Sequence, residues 1–370
     1  MKKILFGITS LTLGGAERVL VDLVNKLCES YEITIFTIYA NGELEKQVSN
    51  KIKLKTLYKK QYSELSFIER KIIPLKVFLN KTKIYKKYIK EDYDVEISFL
   101  EGPITRLFSV KNEKTKKIAW IHNDISLVFG NGLKSKIKRY VDKKIYSKYQ
   151  SLVFVSKENL NNFNQTYKML PNIKKDVIYN YIDKERIIQK AEEVKIEFDK
   201  ESINFVTVAR LVPQKAIDRF IRIHSKLIKD GLKHEVYIIG DGLERKNLER
   251  LIKINEVEKT FHLLGKKENP YPYIKNADYF CLLSNFEGYG MVLEEAKILN
   301  IPIIITDTAA REAAKEYKNS IILENEEEKI YEGLKNVIEN RKIDTEKYEV
   351  QEYDNSKIIG QVEKLISFDK

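Results

Sequence analysis

The sequence predicts an α/β protein of two doubly wound domains, each built on a parallel sheet. Three observations support this fold class. Short apolar segments alternate with segments of helical periodicity along almost the whole chain. The alternation occurs as two successive series, and 370 residues are enough for two domains with separate cores. Strands that alternate with helices pair in parallel through right-handed crossovers, as in Rossmann-like domains.

The first series is expected to fill residues 1–185. It opens with a strand, a loop, a helix with apolar residues at helical spacing, and a second strand. The elements predicted here are strands at 3–8, 32–38, 95–100, 117–121 and 151–155, and a helix at 16–28.

The second series is expected to fill residues 186–352. The boundary lies within 181–200, where a charged stretch without a Gly/Ser linker follows the last strand of the first series. The predicted elements are strands at 204–209, 235–239, 260–264, 279–283 and 301–306, and helices at 216–229, 244–255 and 292–299. A C-terminal helix, about 353–370, has an apolar face that can pack back onto the N-terminal domain or onto the other one.

The net charge of +12 is unevenly distributed. Residues 1–185 carry 35 Lys and Arg against 20 Asp and Glu, a net charge of +15, and the remainder carries −3. Residues 59–93 and 133–149 interleave Lys with aromatic and aliphatic residues, a pattern that suits helices lying on an anionic membrane surface. No nucleic-acid-binding motif is recognisable, so we expect no nucleic acid partner. Plain solvated helices are the alternative interpretation.

Cysteine usage and hydropathy indicate the compartment. Cys28 and Cys281 lie in unrelated apolar segments, which favours reduced core thiols and a cytoplasmic setting. No segment approaches the roughly 20 apolar residues that cross a bilayer. The first residues lack a signal-peptide cleavage site. We therefore expect a cytoplasmic protein, neither secreted nor membrane-spanning, that associates peripherally with the inner face of the cell membrane.

Residues 284–295 form the most informative segment. Gly288 and Gly290 fall in the turn from a predicted buried strand into a helix, where backbone N–H groups and the helix dipole suit a phosphate. Glu287 on the loop has the chemistry to accept hydrogen bonds from sugar hydroxyls, and Glu295 near the helix start has the chemistry to hold a ribose diol. An ordinary Gly-rich turn followed by an acidic helix start is the alternative.

Other motifs also follow predicted strands, at the sheet edge where open α/β sheets bind ligands. Gly14-Gly15 lets the backbone approach a ligand closely, although the three-glycine dinucleotide fingerprint is absent. His122 ends an apolar strand, a position that favours a cleft over a structural role. Arg210 and Lys215 have the charge to neutralise two phosphates.

In chain order these residues resemble the two-Rossmann-domain (GT-B) glycosyltransferases, and specifically glycosyltransferase family 4, whose members retain the anomeric configuration of a nucleotide sugar. The resemblance is carried by Gly14-Gly15, His122, Asn180, Arg210 with Lys215, Gly240-Asp241-Gly242, Leu264-Gly265, and Glu287 with Glu295. It implies Rossmann-like domains that face a central cleft, with the acceptor bound mainly by the N-terminal domain and the nucleotide sugar by the C-terminal one.

The resemblance also implies residue roles. Arg210 and Lys215 would bind the donor diphosphate and stabilise the departing nucleotide. Glu287 would lie close to the donor sugar, and His122 would face that sugar from the other domain; these four are the expected catalytic residues. The expected donor-binding residues are Gly14, Gly15, Asn180, Gly240, Leu264, Gly265, Lys266, Gly288, Tyr289, Gly290, Met291, Val292 and Glu295. Two positions depart from the family pattern: Tyr289 stands where Phe is commoner, and Ala216 where Gly usually follows the lysine.

The expected reaction moves a sugar from a nucleotide diphosphate donor, a UDP-sugar, to a lipid-linked saccharide acceptor. The setting we expect is the synthesis of bacterial capsule, exopolysaccharide or cell-wall glycan. We expect no required metal or other cofactor, and we interpret Asp92 and Asp94 as part of a loop. Two alternatives stay open. One is a glycan-binding subunit with little catalysis that supports a partner. The other is a nucleotide-sugar epimerase or phosphorylase on the same architecture, although no pyridoxal-phosphate lysine is recognisable.

Overall fold

The computed structural model describes residues 1–125, 133–167, 170, 173–315, 317–340 and 354–367. The chain divides into two compact units. Unit 1 comprises Met1–Ile182 and Asp354–Lys370, and unit 2 comprises Asp183–Tyr353. Within the described ranges, no helix combines the length and apolar character needed to cross a bilayer.

Unit 1 contains a parallel sheet of seven described strands in the order β3-β2-β1-β4-β5-β6-β7. The strands are β1 (Lys3–Ile8), β2 (Glu32–Tyr39), β3 (Lys53–Tyr58), β4 (Val95–Ser98), β5 (Lys116–Ile121), β6 (Ser151–Phe154) and β7 (Lys174–Val177). The chain reverses direction across the sheet between β1 and β4, which is the topological switch point of a doubly wound fold.

The described helices of unit 1 surround this sheet. They are α1 (Gly15–Leu27), α2 (Phe67–Leu79), α3 (Lys81–Tyr88), α4 (Pro103–Phe108), α5 (Leu133–Tyr146), α6 (Lys157–Thr166) and, at the end of the chain, α14 (Asn355–Ser367). Helix α14 packs on unit 1, where Val362 and Leu365 are buried and Lys116 donates a 2.7 Å hydrogen bond to the carbonyl of Leu365.

Unit 2 repeats the plan with a parallel sheet of six described strands in the order β10-β9-β8-β11-β12-β13. The strands are β8 (Ile203–Val208), β9 (His234–Ile239), β10 (Phe261–Gly265), β11 (Tyr279–Leu282), β12 (Ile303–Thr306) and β13 (Ser320–Leu323). The described helices are α7 (Lys184–Ala191), α8 (Ile217–Lys229), α9 (Arg245–Ile254), α10 (Tyr271–Lys275), α11 (Met291–Ile298), α12 (Arg311–Ala314) and α13 (Glu327–Asn340). The predicted fold class of two parallel α/β domains is confirmed.

A buried polar cluster joins the middle of the unit 1 sheet to its helices. Glu96 of β4 and Lys117 of β5 are register partners, and Lys117 Nζ lies 2.6 Å from Glu96 Oε2. Tyr85 of α3 donates a hydrogen bond to the other carboxylate oxygen, and Lys117 also donates to the carbonyl of Phe108 at 2.9 Å. Since each charge has an opposite charge and further hydrogen-bond partners, the pair is compatible with burial.

Candidate active site

The loop after β8 carries the two predicted cations of unit 2. Arg210 is exposed, and its side chain makes no hydrogen bond or ion pair with any residue that the structure describes. The chain then forms a short 3₁₀ turn, Pro213–Lys215, and passes through Ala216 at φ 49° and ψ 37° into α8. This left-handed conformation is the one that glycine adopts most easily, which accounts for the glycine usual at this position in the resembled family.

The loop after β11 carries Glu287, whose side chain is only 6% exposed. Its Oε1 atom accepts a 2.5 Å hydrogen bond from the hydroxyl of Ser284 and lies 2.5 Å from Nζ of Lys215. Lys215 and Glu287 are therefore brought together as predicted residues of one site, although the sequence did not indicate that they form an ion pair.

Backbone and amide hydrogen bonds hold these two loops against each other. The N–H of Asn285 donates to the carbonyl of Gln214 at 2.9 Å, and the side chain of Gln214 donates to the carbonyl of Phe286 at 3.0 Å. The side-chain amide of Asn285 donates to the carbonyl of Pro213 at 3.1 Å. The positions of Lys215 and Glu287 are thus fixed by several bonds besides their own ion pair.

The start of α11 follows directly. Gly290 lies at φ 78° and precedes the helix, and no side chain caps the helix start. A side chain at Gly290 would be strained by this backbone conformation and would crowd Leu293 at 3.2 Å. Because β8 and β11 are neighbouring parallel strands, the amino end of α11 and the β8 loop lie at the same edge of the sheet. Gly288, Tyr289, Met291 and Val292 belong to this turn and the first positions of α11.

The acidic residues of α11 have different environments. Glu295 is partly buried, and the hydroxyl of Tyr271 lies 3.4 Å from its Oε1 atom. The neighbouring Glu294 is almost fully buried, where it accepts a hydrogen bond from Tyr289 at 2.8 Å and pairs with Lys297 at 2.9 Å. This internal role of Tyr289 and Glu294 was not predicted from the sequence. The spacing of Glu294 and Lys297, three positions apart on one helix, was the available signal.

The remaining glycine turns of unit 2 lie at the ends of β9 and β10. The N–H of Gly240 donates to the carbonyl of Gly265 at 2.9 Å. Gly240 lies at φ 149°, and a Cβ atom there would lie 1.8 Å from the carbonyl oxygen of Ala209. Glycine is therefore required for this close approach of β9 to the β8 loop. Leu264 is in β10, and Lys266 follows that strand beside Gly265, which lies at φ 73°.

Four predicted site residues belong to unit 1. Gly14 precedes α1 in an extended conformation and Gly15 is the first residue of α1. Asn180 follows β7 and is buried. His122 follows β5, and its ring lies 4.7 Å from that of Phe99 between ring centres. Burial lowers the pKa of His122 to about 3, so its imidazole is neutral at physiological pH.

Metal-ligating side chains form no further site within the described ranges. Among the described residues no three His, Cys, Asp or Glu side chains are grouped as they would be around a metal ion. Asp94 accepts a 2.7 Å hydrogen bond from the backbone N–H of Lys3. His224, His234 and His262 lie far apart in the sequence without metal-ligand spacing. In the core of unit 2, however, His224 and His234 hydrogen-bond to each other at 2.7 Å.

Comparison with known proteins identifies the family. Residues 13–186 match the family model described as Glycosyltransferase Family 4, and residues 188–355 match the model described as Glycosyl transferases group 1. The chain belongs to glycosyltransferase family 4. The two matches together run through both units, and the chain is a glycosyltransferase.

Relatives from bacteria support the family 4 assignment. The chain is 29% identical over 353 residues to N-acetylgalactosamine-N,N'-diacetylbacillosaminyl-diphospho-undecaprenol 4-alpha-N-acetylgalactosaminyltransferase of Campylobacter jejuni, covering 93% of this chain and 92% of the relative. It is 27% identical over 316 residues to the O-antigen biosynthesis glycosyltransferase WclY of Escherichia coli, covering 82% of this chain and 80% of the relative.

Solved structures show the same GT-B fold at low sequence identity. Alr3699/HepE of Anabaena, in complex with UDP and glucose, superposes with a TM-score of 0.75 at 17% identity and covers 99% of this chain and 100% of that one. TarM superposes with a TM-score of 0.77 at 13% identity and covers 100% of this chain and 99% of that one. The predicted GT-B fold of this family 4 enzyme is confirmed.

Proposed function

We propose that this enzyme transfers a sugar from a UDP-linked donor to a lipid-linked saccharide acceptor with retention of the anomeric configuration. The observation that carries the proposal is the arrangement in unit 2 of exposed Arg210, paired Lys215 and the uncapped start of α11 at one sheet edge. Cleavage of a sugar–phosphate bond places negative charge on the leaving diphosphate. Fixed cations and N–H dipoles at that position lower the barrier.

The roles follow from the local environments. The guanidinium group of Arg210 has no partner among the residues that the structure describes, so it is available to bind the diphosphate. Lys215 is held beside Glu287, and Glu287 accepts hydrogen bonds from donor-sugar hydroxyls, while Glu295 holds the ribose. Backbone N–H groups of residues 288–292 bind phosphate and sugar oxygens, and His122 bonds a sugar hydroxyl through its neutral ring. We assign no covalent nucleophile and expect the reaction to need no metal or other cofactor.

The choice of UDP is supported by solved neighbours. HepE was crystallised with UDP, with UDP and glucose, and with UDP-glucose, and a TarM structure of Staphylococcus aureus also contains UDP. The acceptor class is supported by the Campylobacter jejuni relatives, whose names specify saccharides linked to diphospho-undecaprenol. We therefore place the reaction in the assembly of a bacterial surface glycan.

Membrane association is part of this proposal, because a lipid-linked acceptor is presented at a membrane surface. Helix α2 buries Ile73 and Val77 against unit 1 and exposes a second apolar stripe at helical spacing: Ile68, Ile72, Leu75 and Leu79. Ile68 is 65% exposed and Leu79 69%. Such a stripe on a helix of a strongly basic unit has the charge and hydrophobicity to lie on an anionic bilayer. We infer peripheral association with the inner face of the cell membrane.

Flotation with vesicles tests this association. The wild type is expected to float with vesicles that contain anionic lipid, and less so at high salt. A variant with serine at Ile68, Ile72, Leu75 and Leu79 is expected to stay in the dense fraction. Leu243→Ser with Ile254→Ser is the matched control, since these exposed apolar residues belong to unit 2. Failure of the wild type to float at either salt concentration would exclude the membrane proposal.

A panel of radiolabelled nucleotide sugars tests the transferase proposal itself. One UDP-sugar is expected to be hydrolysed slowly without acceptor and transferred faster with a lipid-diphosphate-linked saccharide, and the product linkage is expected to retain the donor configuration by NMR. Arg210→Ala should lower both rates by about 10²-fold. Arg250→Ala, an exposed arginine of α9, is the control. An epimerase would instead convert the sugar without releasing UDP, and a non-catalytic subunit would bind glycan without turnover.

A further inference from the structure

The carboxylate of Glu101 connects the loop after β4 to the loop after β5. Its Oε1 atom accepts hydrogen bonds from the backbone N–H groups of His122 at 2.5 Å and Asn123 at 2.7 Å. Its Oε2 atom accepts a third, from the side-chain amide of Asn123 at 2.9 Å. Glu101 therefore fixes the backbone of His122, the residue directly after β5.

The ring of His122 has no comparable hydrogen-bonded anchor in the described part of the chain. Its Nε2 atom is buried, and neither ring nitrogen hydrogen-bonds any residue that the structure describes. The ring contacts Phe99 at 4.7 Å and Trp120 at 6.5 Å between ring centres, and neither contact supplies directional hydrogen bonding. The direction of the imidazole thus depends on the backbone from which it projects, and that backbone is held by Glu101.

We propose that Glu101 is a positioning residue, which orients His122 by holding the His122–Asn123 backbone. The inference rests on the proposed function, in which His122 bonds a sugar hydroxyl. Glu101 acts through His122 and does not touch the reacting atoms. A misplacement of about 1 Å at a substrate-binding group costs up to roughly 10²-fold in rate, so loss of this anchor has a measurable effect.

A direct role of Glu101 in substrate chemistry is the competing explanation. Glu101 borders a cavity of about 270 Å³ in unit 1, together with Asn123 and the ion pair of Arg106 with Asp142. The two explanations differ in what they require of the side chain. Positioning requires only an oxygen that accepts from two backbone N–H groups, which glutamine also supplies. Proton transfer or charge stabilisation requires the carboxylate.

Steady-state transfer assays on E101Q, E101A, H122A and E101A/H122A distinguish the two, with the UDP-sugar that the donor panel identifies. E101Q is expected to keep its rate within about threefold, and E101A to lose at least tenfold in kcat with little change in donor KM. The losses should not add, so E101A/H122A should match H122A. Thermal unfolding monitors folding, and if E101A does not fold, E101D replaces it, because its shorter side chain keeps the charge but not the reach.

Three results would overturn the inference. Equal inactivity of E101Q and E101A would assign Glu101 a chemical role. If H122A loses activity and the losses add in E101A/H122A, Glu101 acts independently of His122. Full activity of H122A would remove the proposed role of His122 and this inference with it, while leaving the donor site of unit 2 to be judged by the Arg210 variant.

Discussion

Nζ of Lys215 donates a 2.5 Å hydrogen bond to Oε1 of Glu287, and this ion pair joins the loops that follow two neighbouring strands of the unit 2 sheet. Both side chains are largely buried, at 15% and 6% exposure. A buried pair of this kind stabilises the fold little relative to apolar residues, but removal of one partner leaves an uncompensated charge. The pair therefore links the folding of unit 2 to the geometry of the candidate site.

Lys215→Met is expected to destabilise unit 2 by about 3 kcal/mol, because Glu287 is left buried without its cation. Addition of Glu287→Gln to the same chain should restore part of this loss, since the remaining amide is neutral. Urea unfolding at pH 7 measures both. Lys195→Met is the control, because the pair of Lys195 with Glu197 is exposed and screened by solvent, so its loss should change the stability much less. Equal effects of the two Lys→Met changes would contradict the structural role of the buried pair.

Ala216 is expected to tolerate glycine and to reject a β-branched residue. Its φ of 49° costs alanine roughly 1 kcal/mol, which offsets the entropic cost of glycine, so Ala216→Gly should change the unfolding free energy by less than about 1 kcal/mol. Ala216→Val should cost roughly 2 kcal/mol or more. Ala296→Gly, in the interior of α11, is the matched control and should cost about 1 kcal/mol or more. A larger loss for Ala216→Gly than for Ala296→Gly would contradict the left-handed conformation.

The central strands and the loops after them could be predicted from the sequence, because strands buried on both faces are continuous apolar runs. The edge strands β3, β7 and β13 were missed. Half of the six residues of strand β3 (Lys53–Tyr58) are lysine or threonine, and β7 (Lys174–Val177) contains a single apolar residue. Edge strands bury less surface, so the sequences of β3 and β7 carry little apolar signal, and the protective charges typical of edges weaken it further. The more apolar edge strand β10 was predicted.

The residue types of the candidate site could be proposed from the sequence, but the contacts between these residues could not. Glycine at 240 and 290 was predictable, since each occupies a backbone conformation that the turn requires. The pairing of Lys215 with Glu287 was not, because the residues are 72 positions apart and only the β8–β11 pairing brings them together. The anchoring of His122 by Glu101 was missed for the same reason, since it depends on the neighbouring ends of β4 and β5.

Unit 2 is expected to lose stability in mild acid because of its buried histidine pair. His234 Nδ1 donates to the carbonyl of Leu232 at 2.9 Å, and its Nε2 lies 2.7 Å from Nδ1 of His224, so both rings can satisfy these hydrogen bonds in their neutral forms. Burial lowers the pKa of His224 to about 2 and that of His234 to about 4. Unfolded histidine titrates at about 6.5, so only the unfolded state takes up protons as the pH falls below that value.

The contribution of the two neutral histidines to the free energy of unfolding is therefore complete above about pH 6.5. It falls as the pH decreases towards 4, by up to about 1.4 kcal/mol per pH unit for each histidine. Urea unfolding followed from pH 7.5 to 4.5 measures the slope. The variant His224→Gln/His234→Gln should be less stable at pH 7 but show a shallower slope, with the remainder due to other groups, including His122. An unchanged slope in the variant would contradict the neutral buried pair.

The central claim is that unit 2 binds a diphosphate between Arg210, Lys215 and the amino end of α11. The decisive test is calorimetry, in which the affinities for UDP and for uridine are measured for the wild type and for Arg210→Ala. Because Arg210 makes no bond within the described structure, the substitution should leave thermal unfolding unchanged. A lost charge-assisted hydrogen bond corresponds to about tenfold or more in affinity. Arg210→Ala is expected to weaken UDP binding at least tenfold and to leave uridine binding unaltered; equal UDP affinities in the two proteins would contradict diphosphate binding at this site.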